Sequence, residues 1–477
     1  MIDAIIIRCQ NFRNRLFRSF TLRRDSIMDL IDAVASLVGV SSLVGLSMAS
    51  LFRRKYSSIT DALDNFGKES DVEKLGRLQL LAEHCSFPEK GFILLATDCT
   101  ANPRIYAEKL EDRSIVHAPN HVPGQKPITV GHQYSTLIHL PLNPEDRKGH
   151  WVEPLSTARV PSHKTGSDIG LEKLIELVSH TVFKNHLCAH VSDSAYGNRD
   201  WIIQIPNNLE NVVHIARSRN NRKYHRMPLP NPTRRKGRPT VYGEEISLHE
   251  PTPSDSEDTF FNEKGHRITV NRWNNCLARG QDLHKYPFDL VRVIVTNKDG
   301  KPLYKRPLWL MLIGKRKDEL TAVQAAYCYS IRYDIEHYFR FCKQQLRLVD
   351  SQTPDVRHEE SWHQVVLLAY RTLHEISALA QTVIRPWEKH KLRKLSSKPT
   401  PTQTQRDAER IIRQIGTPAC VPKPRGKSPG RAAGVCMVPR VSYPIIFKKK
   451  ITVIASAHRP QYARIRPYKS ANVPLRQ

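Results

Sequence analysis

The chain has 477 residues and carries 74 Lys and Arg against 46 Asp and Glu, a formal charge of +28. That length can bury a large core and suits two or three domains, and so strong a positive charge points to polyanionic partners: DNA, RNA or an anionic membrane surface. Nine cysteines, an odd number with no CxxC pair, argue against a disulfide framework and for a reducing cytoplasm.

The N-terminal segment is basic through Arg8, Arg13, Arg15, Arg18, Arg23 and Arg24. From Ala33 to Phe52 no residue is charged, a stretch long enough to span a bilayer. Its serines and glycines dilute it, and no signal-peptide cleavage pattern ends it, so it reads as packed helices of a small N-terminal domain. Leu51 to Phe66 looks like a helix entry. Ser58 with Asp61, and Ser70 with Glu73, offer capping boxes. Arg53, Arg54 and Lys55 suit phosphate contacts or form a basic turn.

Gly91 to Asp98 is a short apolar run ending in an acid, read as a buried strand that delivers Asp98 to its end. Open α/β sheets build their sites at such ends, although an Asp there also serves as a turn residue. Pro127 to Leu137 reads as a further strand and Pro141 to Gly166 as a loop. Asp168 then caps a helix, and a strand from His186 to Val191 ends in Ser192 and Asp193. His186, Cys188 and His190 share one strand face. They are zinc ligands or ordinary strand residues, with no nearby Cys or His pair to complete a four-ligand set. Trp201 to Arg217 continues as strand.

Ser218 to Asp289 is rich in Arg, Lys, Pro, Asn and Gly. Within it, the run Arg234 to Pro239 is a solvated basic loop or a minor-groove hook, with Arg235 and Arg238 entering a narrow groove. Phe288 to Thr296 and Leu303 to Ile313 are strands around a hairpin turn at Asn297 to Gly300. Glu319 to Arg347 has no Gly or Pro and reads as one long helix. Tyr329, Arg332, Glu336 and Lys343 lie at steps of three, four and seven residues, which places them within roughly a 60° arc of one face. Such a file holds a metal ion and a phosphate together, or is a solvated face with i,i+4 pairs. Arg357 to Thr382 is another amphipathic helix, ended by Pro386. From Glu388 to Gln477 there are 21 Lys and Arg against three acids. Prolines break this tail, Lys423 to Arg431 suits DNA backbone without sequence readout, and the apolar run Tyr443 to Phe447 docks on the body or on a partner.

The spacing Tyr329-x2-Arg332-x3-Glu336-x6-Lys343 resembles the Tyr-Arg-Glu-Lys signature of insertion-sequence transposases of the DDE superfamily, the IS-four-like group. Asp193-Ser194-Ala195-Tyr196-Gly197 resembles the sequence around the second aspartate of that group, and the resemblance covers about Leu51 to Gln381. It implies a mixed α/β (α+β) fold. A helical N-terminal DNA-binding region would span 1–89. An RNase H-like catalytic domain would fill 90–216 and 301–386, interrupted by a β-rich insertion at 217–300. A basic, partly disordered C-terminal tail would run over 387–477.

The resemblance further implies that Asp98, Asp193 and Glu336 bind two Mg²⁺ ions, replaceable by Mn²⁺, and are catalytic. The reaction would be DNA strand cleavage at transposon ends, then strand transfer into target DNA. Arg332 and Lys343 would hold phosphates and Tyr329 would donate a hydrogen bond to one. Trp309 would stack on a base flipped from the DNA end, its alternative being a core tryptophan. Double-stranded DNA is the implied partner, with a homodimer in the synaptic complex, no membrane, and a cytoplasmic, nucleoid-associated bacterial location. Two rival readings remain: a catalytically silent, domesticated DNA-binding protein, and a structural RNA-binding protein.

Overall fold

The structure, a computed structural model, describes residues 2–39, 42–117, 126–229, 240–262, 264–380, 398–424, 430, 432–436 and 438–447. Arg235 and Arg238 with the rest of the candidate groove hook, Pro386, Lys448 to Lys450 and most of Lys423 to Arg431 lie outside these residues.

Five helices come first: α1 (Ile2–Arg18), α2 (Arg24–Ser36), α3 (Leu43–Leu46), α4 (Ser57–Phe66) and α5 (Asp71–Glu83). The uncharged stretch is therefore divided between α2, α3 and their connections, and among the described residues no helix is long and apolar enough to cross a membrane. The capping box Ser70–Glu73 forms at the start of α5, whereas α4 begins without a side-chain cap. Arg53 and Arg54 are taken up inside the fold. Arg53 pairs with Asp29 at 2.6 Å and Arg54 with the same carboxylate at 3.1 Å, and both donate to carbonyls at Ala419 and Cys420.

A single sheet occupies the centre. Its first part is β1 (Ile93–Pro103), β2 (Ser114–His117), β3 (Ile128–Leu140), β4 (Glu153–Val160), β5 (Cys188–Ser192) and β6 (Val212–Ser218), with short α6 (Pro144–Arg147), α7 (Gly166–His180) and α8 (Arg199–Asn208) between them. β1 runs antiparallel to β3, which is antiparallel to β4, while β1, β5 and β6 are mutually parallel. The order β4–β3–β1–β5–β6, with three antiparallel strands continued by two parallel ones, is the RNase H-like arrangement. Ile93 to Ala96 are buried because helices cover both faces of this parallel centre.

The second part is β7 (Lys223–His225), β8 (Glu245–Ser247), β9 (Ser256–Phe261), β10 (Arg267–Ala278), β11 (Phe288–Thr296) and β12 (Leu308–Ile313). β12 pairs antiparallel with β6 from Trp309↔Ser218 to Ile313↔His214, so the inserted strands extend the first sheet. The tail also reaches the opposite edge. Ile446 bridges Ser114 of β2 and its amide donates to the Arg113 carbonyl at 2.7 Å, so the Tyr443 to Phe447 run docks on the body.

Among the described residues four helices follow: α9 (Ala322–Ile331), α10 (Asp334–Gln344), α11 (Val356–Ala380) and α12 (Pro401–Ile415). α11 is buried along most of its length and packs against α1, α2, α4, α12 and β4. Buried charges along it are paired: Glu359 accepts from Arg104 and His132, each at 2.7 Å, and from Tyr134 at 2.9 Å.

Several expectations are corrected. The expected long helix is two helices, because the backbone tightens to i→i+3 bonds at the junction: Arg332 N to Tyr329 O, Ile335 N to Arg332 O and Glu336 N to Tyr333 O. Trp201 and its apolar neighbours are helical, since the Asn198 side chain accepts from the amides of Asp200 and Trp201 and caps α8. The expected loop before α7 contains β4, held by pairing to β3. Thr165, not Asp168, is the α7 N-cap; Asp168 returns the bond to the Thr165 amide. The tail contains a core helix, with Ala408, Ile411, Ile412 and Ile415 of α12 buried.

Candidate active site

β1 and β5 bring the two aspartates together. Their parallel pairing ends at Ala96↔Val191, Asp98 stands two residues beyond it on β1, and Asp193 directly follows β5. Asp98 is thus not at the terminus of β1, which runs on to Pro103 against β3. Gly166 lets the start of α7 close on this spot, because a Cβ there would lie 2.3 Å from Cys99 Sγ. The Asp193 carboxylate accepts from the Ala195 amide at 2.8 Å, an Asx-type turn that fixes its direction.

Arg332, at the α9–α10 junction, joins the third acid to the first. Its Nη1 donates to Asp98 Oδ2 at 3.1 Å and its Nη2 to Glu336 Oε1 at 3.3 Å. Burial pushes the Asp98 carboxyl up to about 6; Arg332 and the Cys99 amide oppose the rise, and the charges of Asp193 and Glu336 add to it. The three acids, from β1, the end of β5 and α10, therefore sense one another electrostatically. Burial acts against the Arg332 charge, but Tyr329, Asp98, Glu336 and Asp193 together raise its pKa. The guanidinium lies 5.6 Å from the Tyr329 ring centroid, and its buried Nε has no hydrogen-bond partner among the described residues.

The other candidates are placed differently. Lys343 is half-buried and burial lowers its pKa, with Cys342 opposing; among the described residues it forms no ion pair with the three carboxylates. Trp309 is fully buried, 5.1 Å from Trp273 and beneath Arg292. In this structure its indole faces belong to the core, the alternative that the sequence also offers. His186, Cys188 and His190 do not converge. His186 stacks on Phe87, the Cys188 thiol meets the carbonyls of Phe183 and His186, and His190 bonds Thr97 and His214, each at 2.8 Å. Burial holds both His190 and His214 below the usual imidazole range. The bridging role of Arg332 was not legible in sequence, because it depends on where α9 ends.

The donor set fits a hard divalent cation: carboxylate oxygens only, drawn from three separate elements around a space now spanned by a cationic guanidinium.

Fold and acids together define an RNase H-like α/β protein with a carboxylate cluster at the ends of its parallel strands. More narrowly, the chain belongs to the DDE superfamily endonuclease family, whose model matches residues 15–280, more than half of the sequence. The matched region includes Asp98 and Asp193 and stops before Glu336. Among solved structures, the piggyBac transposase synaptic complex with hairpin DNA is similar over 83% of this chain and 74% of that one, with 8% identity and a TM-score of 0.37. No curated protein matches the chain.

Proposed function

We propose that this chain is a DNA transposase that cleaves transposon ends and transfers the freed strand into target DNA. Asp98, Asp193 and Glu336 are the metal-holding acids, and the Tyr329, Arg332, Glu336 and Lys343 spacing is the IS-four-like signature. The observation that carries this reading is the Arg332 guanidinium held between Asp98 and Glu336 while feeling the charge of Asp193. Carboxylates from three separate elements, two of them paired to one cationic group, are the donor set that a metal-dependent phosphoryl-transfer site requires. Mg²⁺ bound there, or Mn²⁺ in its place, supplies activation of the attacking oxygen and stabilisation of the leaving one.

The protein's own groups prepare that step. The Cys99 amide and the Ala195 amide orient Asp98 and Asp193. With a cation on the carboxylates, Nη1 and Nη2 of Arg332, which now bond Asp98 and Glu336, would be left to hold a DNA phosphate. The basic tail adds non-specific attraction to DNA, and bringing two ends together calls for a homodimer.

The test is strand cleavage with Mg²⁺ on DNA carrying the gene's own flanking ends, comparing the unmodified protein with Glu336→Gln. Cleavage by the unmodified protein alone supports the reading. Equal binding with no cleavage by either, Mn²⁺ included, moves the chain to a silent DNA-binding descendant.

A further inference from the structure

We propose that His150, Asp334 and His337 form a second metal site, for a divalent transition ion of the zinc class, distinct from the three-carboxylate cluster. The three residues are far apart in sequence and meet through the fold. His150 sits just before β4 in a left-handed backbone conformation, φ 60°, which turns its side chain onto the first turn of α10. Asp334 and His337 stand three apart on that helix, on neighbouring positions of one face.

His150 Nδ1 lies 2.9 Å from Asp334 Oδ1, and one ligand atom from each of the three residues lies within 4.8 Å of the others. Tetrahedral ligands about 2.0–2.1 Å from zinc lie roughly 3.3 Å from one another, so closure asks for side-chain movements of about an ångström. The two imidazoles now stack at 4.2 Å with an interplanar angle of 16°. Their in-plane lone pairs run side by side, and ligation requires one ring to turn. His150 has the freedom to do so, with 61% of its side chain exposed. Asp334 is buried; its second oxygen faces Arg147 at 3.6 Å, and Oδ1 stands against His150, with which it would share the ion. The Tyr333 ring meets His337 edge-on at 5.1 Å and steadies it.

Two imidazoles and one carboxylate, with a position left for water, match zinc in type and number. Mg²⁺ prefers oxygen alone, so the two sites sort their metals by chemistry. The other close cluster, Cys85, His139 and Glu153, is less suited: buried Glu153 already accepts from Ser86 and His139 and faces Arg371. A metal at His150 would pin the segment before β4 to α10 beside the Arg332 junction.

The experiment is a Co²⁺ titration of the full chain followed by visible absorption, with Zn²⁺ and Mg²⁺ as competitors. It compares the unmodified protein, Glu336→Gln, His337→Gln and His150→Asn, the last because Asn tolerates the left-handed backbone. Thermal unfolding establishes that each variant is folded. One equivalent of tetrahedral Co²⁺ is expected, displaced by Zn²⁺ and not by excess Mg²⁺, and retained by Glu336→Gln. Removing a direct ligand lowers the affinity by at least about tenfold, the lower end of what loss of an outer partner costs, in both His variants. Absence of a tetrahedral spectrum, or an affinity in either His variant equal to that of the unmodified protein, overturns the proposal.

Discussion

Asp98→Asn is expected to stabilise the metal-free protein while abolishing cleavage. Burial raises the Asp98 carboxyl from its ordinary 3.8 to about 6, so above pH 6 the folded chain carries a charge that it would rather neutralise. At 1.36 kcal/mol per pH unit, a rise of about two units costs roughly 3 kcal/mol. The side chain keeps 23% of its exposure, which makes that an upper bound, and a gain of about 1–3 kcal/mol is the working figure. The sign follows from proton binding. Between pH 3.8 and 6 the folded state holds the proton and the unfolded state has released it. Stability of the unmodified protein therefore falls as pH rises through that window, and the penalty is complete above it. Asn, which resembles the neutral acid, has no such slope. Urea unfolding in EDTA at pH 4, 5, 6 and 7.5 measures the difference. It should be near zero at pH 4, reach its full value by pH 7.5, and shrink again when Mg²⁺ saturates the unmodified protein. An Asn variant less stable at pH 7.5, or a difference that does not vary with pH, would refute this account of the cluster.

Glu359→Ala should cost about 3–5 kcal/mol, because it strands the buried Arg104 guanidinium. Burial pushes the Glu359 carboxyl up, but the His132 hydrogen bond, with the charges of His132 and Arg104, outweighs that and lowers it to about 2. Its contribution is therefore complete above its ordinary 4.5 and is lost as pH falls toward 2, which acid unfolding followed by circular dichroism will detect. Trp309→Ala should destabilise by about 3–5 kcal/mol through a core cavity; Trp309→Phe should leave binding to frayed DNA ends unchanged, and a tenfold loss in a folded Phe variant would restore the stacking role. Ile412→Ala in α12 should cost about 2–5 kcal/mol in chemical unfolding, a loss that a solvated tail residue would not show.

The acids were legible because their signals are local. Ile93 to Ala96 form an apolar run that can only be a buried strand, and Asp98 follows it; the same holds for β5 and Asp193. The fixed steps from Tyr329 to Lys343 point to the helical region that carries Arg332 and Glu336. They also misled, since equal spacing assumes an unbroken helix, and the chain tightens at Arg332 where its side chain turns to Asp98. Elsewhere tertiary context overrode local preference. Trp201 and the isoleucines beside it have strand-forming side chains, yet the Asn198 cap and the cover they give to the sheet make them helical. β4 lies in a stretch rich in turn formers, Pro141 to Gly166, and exists because β3 offers it an edge. α12 carried its own start signal, Thr400 and Pro401 with Gln403 completing the capping box, but it lay inside a strongly basic region. The contact of His150 with Asp334 spans 184 residues, and no local pattern announces it.

The ladder between β6 and β12 has a mechanical consequence. β6 bonds to β5 along one edge and to β12 along the other, so the inserted strands have no hinge of their own at this seam. To swing them aside, the chain must break a row of backbone hydrogen bonds that water cannot readily replace in a buried sheet. A force applied to the insertion is thus transmitted as a twist through β6 into β5, and so reaches the turn that aims Asp193. The paired strands inserted between Asp193 and Glu336 act as a lever arm on the strands that carry Asp98 and Asp193.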